Sequence, residues 1–374
     1  TAALVQNFTD ALLLPARREL ATGAAEQRAF DVAADLWQLA QDVSAAHTLA
    51  VGARQRAALR ALRVRATTLS AELARRYFSA GNINRLELTL AEAAVSEAEL
   101  DAAMATADAD APRIRLHQLL GLHGTQSLQL PSGLLLPVAT EDDLAPLQAL
   151  AMNERLDLKA AAAAIAVGES ALDMSRRYRY LGVLEGGVEF ERESDESRLV
   201  GPTLNLELPL FNQGQGRIAR ASADLARRTA NVDLLALAIE HDIAVAHTQV
   251  LAARERVDIF RQRFVPERRN IVLRTQEMQN SQSVSPFESL RATTAEYDAY
   301  DGYINALRDY WLARTALTRA VGTALPSSAT ATEAQLDTAA LTVAPASVSG
   351  SPAMRKDPHE HAQGAEEQPG TFDA

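Results

Sequence analysis

Two stretches of this chain are almost free of helix breakers. Residues 16–80 contain no proline and two glycines, Gly23 and Gly52. Residues 217–280 contain no glycine and one proline, Pro266. At about 1.5 Å of rise per residue, some 65 residues make a rod of about 100 Å, whereas a globular helix averages about 11–12 residues. Two such rods cannot wrap a rounded core. They must lie helix on helix along narrow seams.

The seams are written in a 3.5-residue repeat. In the second rod Val232, Ala236, Ile239, Ile243, Ala246, Val250, Ala253, Val257, Phe260 and Phe264 alternate four and three apart. That repeat drives left-handed supercoiling. Val32, Leu36, Leu39, Val43, Ala46, Ala50, Ala53 and Ala57 predict the same seam in the first rod. Apolar residues are 47% of the chain but aromatics only 5%, which suits closely packed helices better than a thick core. A length of 374 residues suggests about two domains.

The rods resemble each other. Ala46-His47-Thr48 with Ala53-Arg54 and Arg56 recurs as Ala246-His247-Thr248 with Ala253-Arg254 and Arg256, at an offset of 200. Leu116–Gly121 and Leu86-Glu87 align with Leu317–Gly322 and Phe287-Glu288 at an offset of 201. The extra residue falls near Pro266, where a lost hydrogen bond and a ring clash predict a kink. Two internal repeats are therefore expected.

Each rod turns back on itself. The first turn lies near 79–84 and the second near 280–286, where Ser285, Pro286 and Glu288 form a capping-box pattern. The first repeat is expected over 1–122, with a strand at 3–14 and a helical hairpin at 15–121. A linker follows at 123–141. The second repeat is expected over 142–322, with a helix at 142–180, a β-hairpin at 182–211 and a helical hairpin at 215–322. In that β-hairpin Leu204, Leu206, Leu208 and Leu210 alternate with Thr203, Asn205, Glu207 and Pro209. One greasy face results, fit either for a soluble core or for the lipid side of a barrel. Residues 323–374, rich in Ser, Thr, Ala, Pro and Gly, read as a disordered tail.

Several chemistries find no support. A net charge of −11 lacks the basic footprint of a nucleic-acid binder. The absence of cysteine removes disulfides and thiolate sites. No apolar run approaches the roughly 18 residues of a transmembrane helix, although barrel strands need only about 9–11. No catalytic constellation or cofactor motif stands out, so an enzyme is not expected. His47 and His247 read as helix-packing residues. His359 and His361 are weak metal candidates, since imidazole suits Zn, Cu or Ni.

The run Gly201–Arg217 (GPTLNLELPLFNQGQGR) closely resembles the strand-to-helix junction of the TolC-like outer-membrane efflux family. Arg155-Leu156-Asp157-Leu158 resembles its Arg-Pro-Asp-Leu segment, with Leu156 in place of proline. Leu119–Leu122 looks like its usual end to the first returning helix. Arg76–Ile83 resembles its first tip. Met278–Asn280 and Pro286–Ala292 resemble its second, without the usual tip glycine. Together these motifs cover about residues 1–325.

The resemblance implies a mainly α protein with a small β part. Three chains would share a 12-stranded outer-membrane barrel above an α-barrel reaching into the periplasm of a Gram-negative bacterium. It implies a passive exit duct working with a periplasmic adaptor and an inner-membrane pump. The similarity looks greatest to partners of resistance-nodulation-division (RND) heavy-metal pumps. A duct for type I protein secretion and a coiled-coil scaffold without a channel are the alternatives.

By that analogy the first repeat begins at its second strand, so a helix and a strand are expected to precede Thr1. Leu204, Leu206, Leu208 and Leu210 are expected to face lipid. Gly81, Asn82, Ile83, Ser283, Val284 and Ser285 at the tips are expected to dock the adaptor. Glu288 is a candidate for an acidic constriction, with Arg291, one helical turn on, placed to pair with it.

Overall fold

A computed structural model describes residues 2–123, 126, 128–192, 198–207, 211, 213–281 and 283–330. In chain order the elements are β1 (Ala2–Asn7), α1 (Phe8–Ser79), α2 (Arg85–Leu119), α3 (Leu144–Glu154), α4 (Leu156–Arg177), β2 (Leu184–Arg192), β3 (Arg198–Leu206), α5 (Gln215–Ile259), α6 (Val265–Asn280) and α7 (Pro286–Val321). A short 3₁₀ turn covers Pro326–Thr330. Among the described residues the fold is mainly helical with one small sheet.

The helical hairpin α1/α2 turns on glycine. Gly81 has φ +76°, a conformation costly for side-chain-bearing residues. Its N–H donates to the Phe78 carbonyl at 2.9 Å and that of Asn82 to Tyr77 at 2.9 Å, the paired bonds of a Schellman motif. Asn84 then opens α2 with a full capping box, exchanging bonds with Glu87. At the second tip the Ser285 side chain accepts from the Glu288 N–H at 3.4 Å, with Pro286 in the first turn.

The α5 seam is buried from Ile239 through Ile243, Ala246, Val250 and Ala253 to Val257, facing α7. It then changes register. Seven residues separate Val250 from Val257 and Val265 from Val272, but eight separate Val257 from Val265, all four buried. Between the last pair the helix opens into a π turn, Phe260–Phe264, where the Val265 N–H bonds the Phe260 carbonyl. An i→i+5 turn holds one more residue than an α turn. The extra residue therefore sits just before Pro266, where the sequence offset grows from 200 to 201. An 18-residue window in Gln215–Gln279 reaches a mean hydropathy of 1.2, enough for a membrane span by length and composition only.

Four boundaries differ from the sequence reading. The first strand ends at Asn7, not residue 14, because the Asn7 side chain accepts from the Asp10 N–H at 3.2 Å and starts α1. Pro15 lies inside that helix. The helix expected at 142–180 is two, broken at Arg155, whose ψ of 123° is extended. The first-rod seam fails at its start: Val32 and Leu36 are 58% and 62% exposed. Its later members Ala46 and Ala50 are buried, and the buried residues of α1 also include the polar Gln41, Thr48, Gln55, Arg63 and Thr67. Finally, part of the expected tail is folded. Leu325 and Ser327 are buried, and the Ser327 N–H donates to the Asp142 carboxylate at 3.1 Å.

The sheet order is β1-β2-β3, antiparallel throughout. Leu204 pairs with Gly186 and Leu206 with Leu184. Thr9 Oγ1 donates to the Gly182 carbonyl at 3.2 Å and accepts from the Leu184 N–H at 2.7 Å, tying α1 to this sheet.

Candidate functional site

The tip residues do not behave as one group. Gly81 and Asn82 are exposed, while Ile83 is half-buried against a cluster of Ala71, Ala74, Leu88, Ala91 and Leu290. Ile83 thus holds the first hairpin to the start of α7. At the second tip Ser283 is exposed and its hydroxyl lies 3.0 Å from that of Ser281. Val284 and Ser285 are half-buried, and Ser285 serves as N-cap.

Glu288 and Arg291 are both exposed in the first turns of α7. Among the described residues they form no ion pair with each other. The expected pairing is therefore not made. A carboxylate at a helix N-terminus also complements the helix dipole.

Leu204 and Leu206 are 75% and 54% exposed, and their neighbours Thr203 and Asn205 are exposed too. Both faces of β3 are open here. Leu208, Leu210, His359 and His361 lie outside the described residues. Among the described residues no group of three His, Asp or Glu side chains is placed to hold a metal ion.

The most elaborate chemistry is buried, and periodicity did not point to it. Glu141 in the linker pairs with Arg314 of α7, accepts from Tyr310 Oη at 2.6 Å, and meets Arg254 of α5 at 3.2 Å. Arg254 also donates to the Val138 and Ala139 carbonyls, and Arg314 to Ser327 Oγ at 2.9 Å. Burial pushes the Tyr310 hydroxyl well above its usual range, helped by its bond to Glu141. The linker is thus bolted across α5 and α7. His247 joins this arrangement, its Nε2 lying 2.9 Å from the Asp142 carbonyl.

A second network joins the hairpins. Arg56, Arg60 and Arg63 recur four and three apart, so they share one face of α1. Arg56 grips Asp301 of α7 through two bonds of 2.8 and 3.2 Å. Arg60 reaches Asp301 at 3.1 Å, Asp101 of α2 at 3.3 Å and Asp298 at 3.4 Å. Arg63, buried, holds Asp101 at 2.9 Å. The Asp301 bonds raise the Arg56 pKa further.

Arg155 explains its own helix break. Two of its nitrogens bond Asp157, at 2.9 and 2.5 Å, and a third donates to the Ala320 carbonyl at 2.7 Å. It satisfies an orphan carbonyl near the end of α7. Burial raises the Asp157 pKa, but the Arg155 bonds and charge outweigh that and leave it lowered.

No protein-family model matches the sequence. Protein CyaE of Bordetella pertussis is 30% identical over 196 residues, which are 50% of this chain and 41% of that protein. The chain therefore spans about two-fifths of the curated relative. Solved structures resemble far more of it. CusC superposes with a TM-score of 0.68 at 14% identity, covering 86% of this chain and 77% of that one. The outer-membrane protein VceC of Vibrio cholerae gives 0.67 at 14% identity over 86% and 78%. The Campylobacter jejuni CmeC outer membrane channel gives 0.66 at 14% identity over 87% and 71%. These superpositions are all on outer-membrane channel structures, and the chain has the TolC-like fold.

Proposed function

We propose that this chain is a wall segment of an outer-membrane exit duct built from three copies of it and from two internal repeats per copy. The observation that carries this reading is a set of unpartnered surfaces on long rods. On α1, Val32, Leu36 and Leu39 are exposed; on α5, so are Leu234, Leu237, Val245 and Leu251. Large apolar side chains left exposed along two long rods call for a partner. The outer strands β1 and β3 likewise each have one free edge among the described residues, and free edges are tolerated in lipid only when closed into a barrel. A ring of copies covers both at once.

In this reading β1–β3 lie in the outer membrane and the hairpins reach into the periplasm. The tips, Gly81–Ile83 and Ser283–Ser285, receive an adaptor that connects to an inner-membrane RND pump. The duct is passive. The net charge of −11 suits cationic cargo such as heavy-metal ions. The test is to express the protein from its complete gene, extract it in detergent, cross-link it and record from planar bilayers. Trimers with stepwise conductance are expected. A detergent-independent monomer without conductance overturns the reading.

A further inference from the structure

A cavity of about 590 Å³ opens between α1, the end of α2, the linker near Leu128–Leu130 and α7. That volume falls in the range of small-molecule sites. The two tryptophans of the chain, Trp37 and Trp311, both line it, together with Leu116 and Leu130. Aromatic rings supply large, rigid apolar contact.

The electrostatics narrow the occupant. Arg314 is the one cation among the lining residues. It is buried and committed to Glu141, Ser327 and Ser328. An ion seated against this lining would find no free counter-charge there, and burying one unpaired is costly.

His47 supplies the polar anchor. Its sequence counterpart His247 contacts a linker carbonyl at 2.9 Å, whereas His47, which lines the cavity, has no hydrogen-bond partner among the described residues. Burial lowers its pKa, so the ring is neutral near pH 7 and offers one donor and one acceptor. Among the described residues Arg254 holds the Val138 and Ala139 carbonyls, while its counterpart Arg54 holds that of Leu130.

We propose that this cavity binds an uncharged aromatic molecule bearing a carbonyl or hydroxyl group, its ring against Trp37 and Trp311 and its oxygen on His47. The site lies beside the helical wall and goes beyond the duct reading, on which it does not depend.

The test uses prodan, an uncharged naphthalene ketone whose absorption overlaps indole emission. The detergent-solubilised protein is titrated with excitation of the indoles. Saturable energy transfer at one prodan per chain is expected. Trp37→Phe should remove part of the donor signal and keep saturation. His47→Ala should weaken binding about tenfold, the worth of one hydrogen bond, and His47→Gln should restore most of it. An anionic naphthalene sulfonate should fail to compete. Linear, unsaturable uptake as into empty micelles, indifference to His47→Ala, equal competition by the sulfonate, or no binding because a protein segment fills the space each overturns the proposal.

Discussion

The ring of Phe260 fills the space that a Cβ on Gly302 would need: its Cε1 and Cζ both lie 2.8 Å from that position. The π turn and the glycine of α7 are thus two halves of one packing contact. Gly302→Ala should cost about 1–2 kcal/mol, since overpacking of roughly 1–3 kcal/mol is partly offset by the helix propensity of alanine. Gly216→Ala, whose new methyl would meet nothing within 4 Å, should cost nothing. Denaturant midpoints of the two variants check this.

Deleting a residue from a helix normally rotates everything beyond it by about 100°. Deleting Gln262 from the π turn should be an exception. It brings Val265 into a seven-residue step from Val257 and lets the turn close as ordinary α-helix. Helicity by circular dichroism and the melting midpoint should stay near those of the parent. Deleting Ala244, in the regular part of α5, should lower both.

Arg314→Met should be strongly destabilising. It leaves Glu141 buried with less positive charge beside it, and breaking such a pair costs about 3–5 kcal/mol. Denaturant unfolding followed by tryptophan emission reads this loss, since Trp311 donates to the Leu135 carbonyl at 2.8 Å in the same region.

Acid should loosen the Arg155 junction. The Asp157 pKa is lowered from 3.8 in the fold, so its contribution is full above that value and disappears as pH falls through the folded pKa. Its side chain is 37% exposed, so solvent screening limits that contribution to about 1 kcal/mol. Asp157→Asn should remove it at neutral pH and flatten the acid limb of a stability–pH curve.

These contacts show what the sequence could and could not convey. The α5 seam was legible because Ile239, Ile243, Val250 and Val257 are large, apolar and periodic. The buried face of α1 was legible only in part: Ala46 and Ala50 of its expected seam are buried, but so are Gln41, Thr48, Gln55, Arg63 and Thr67, which a search for apolar periodicity passes over. The partners of Arg56, Arg60 and Arg63 were not legible either, because Asp101, Asp298 and Asp301 are brought against them from two other helices. The family-like Arg155–Leu158 segment carried a signal, but its meaning as a helix break docked on α7 depends on tertiary contact with Ala320.

If the duct reading holds, Glu288 should matter to ions. Glu288→Gln in the trimer should reduce cation selectivity and block by multivalent cations in single-channel recordings. Unchanged selectivity and block in intact trimers would leave Glu288 as a helix-end charge worth about 0.3–1 kcal/mol.

The small sheet sets a kinetic condition on making this protein. Its outer strands β1 and β3 expose hydrogen-bonding edges that no described strand of the same chain satisfies. If other copies satisfy them, the last folding step is a collision between molecules. Its rate then rises steeply with subunit concentration, and a dilute chain waits with adhesive edges open to the wrong neighbours. Under the duct reading such a chain needs escort to the membrane, and its yield in the cell should follow the supply of that escort more closely than the stability of any one helix.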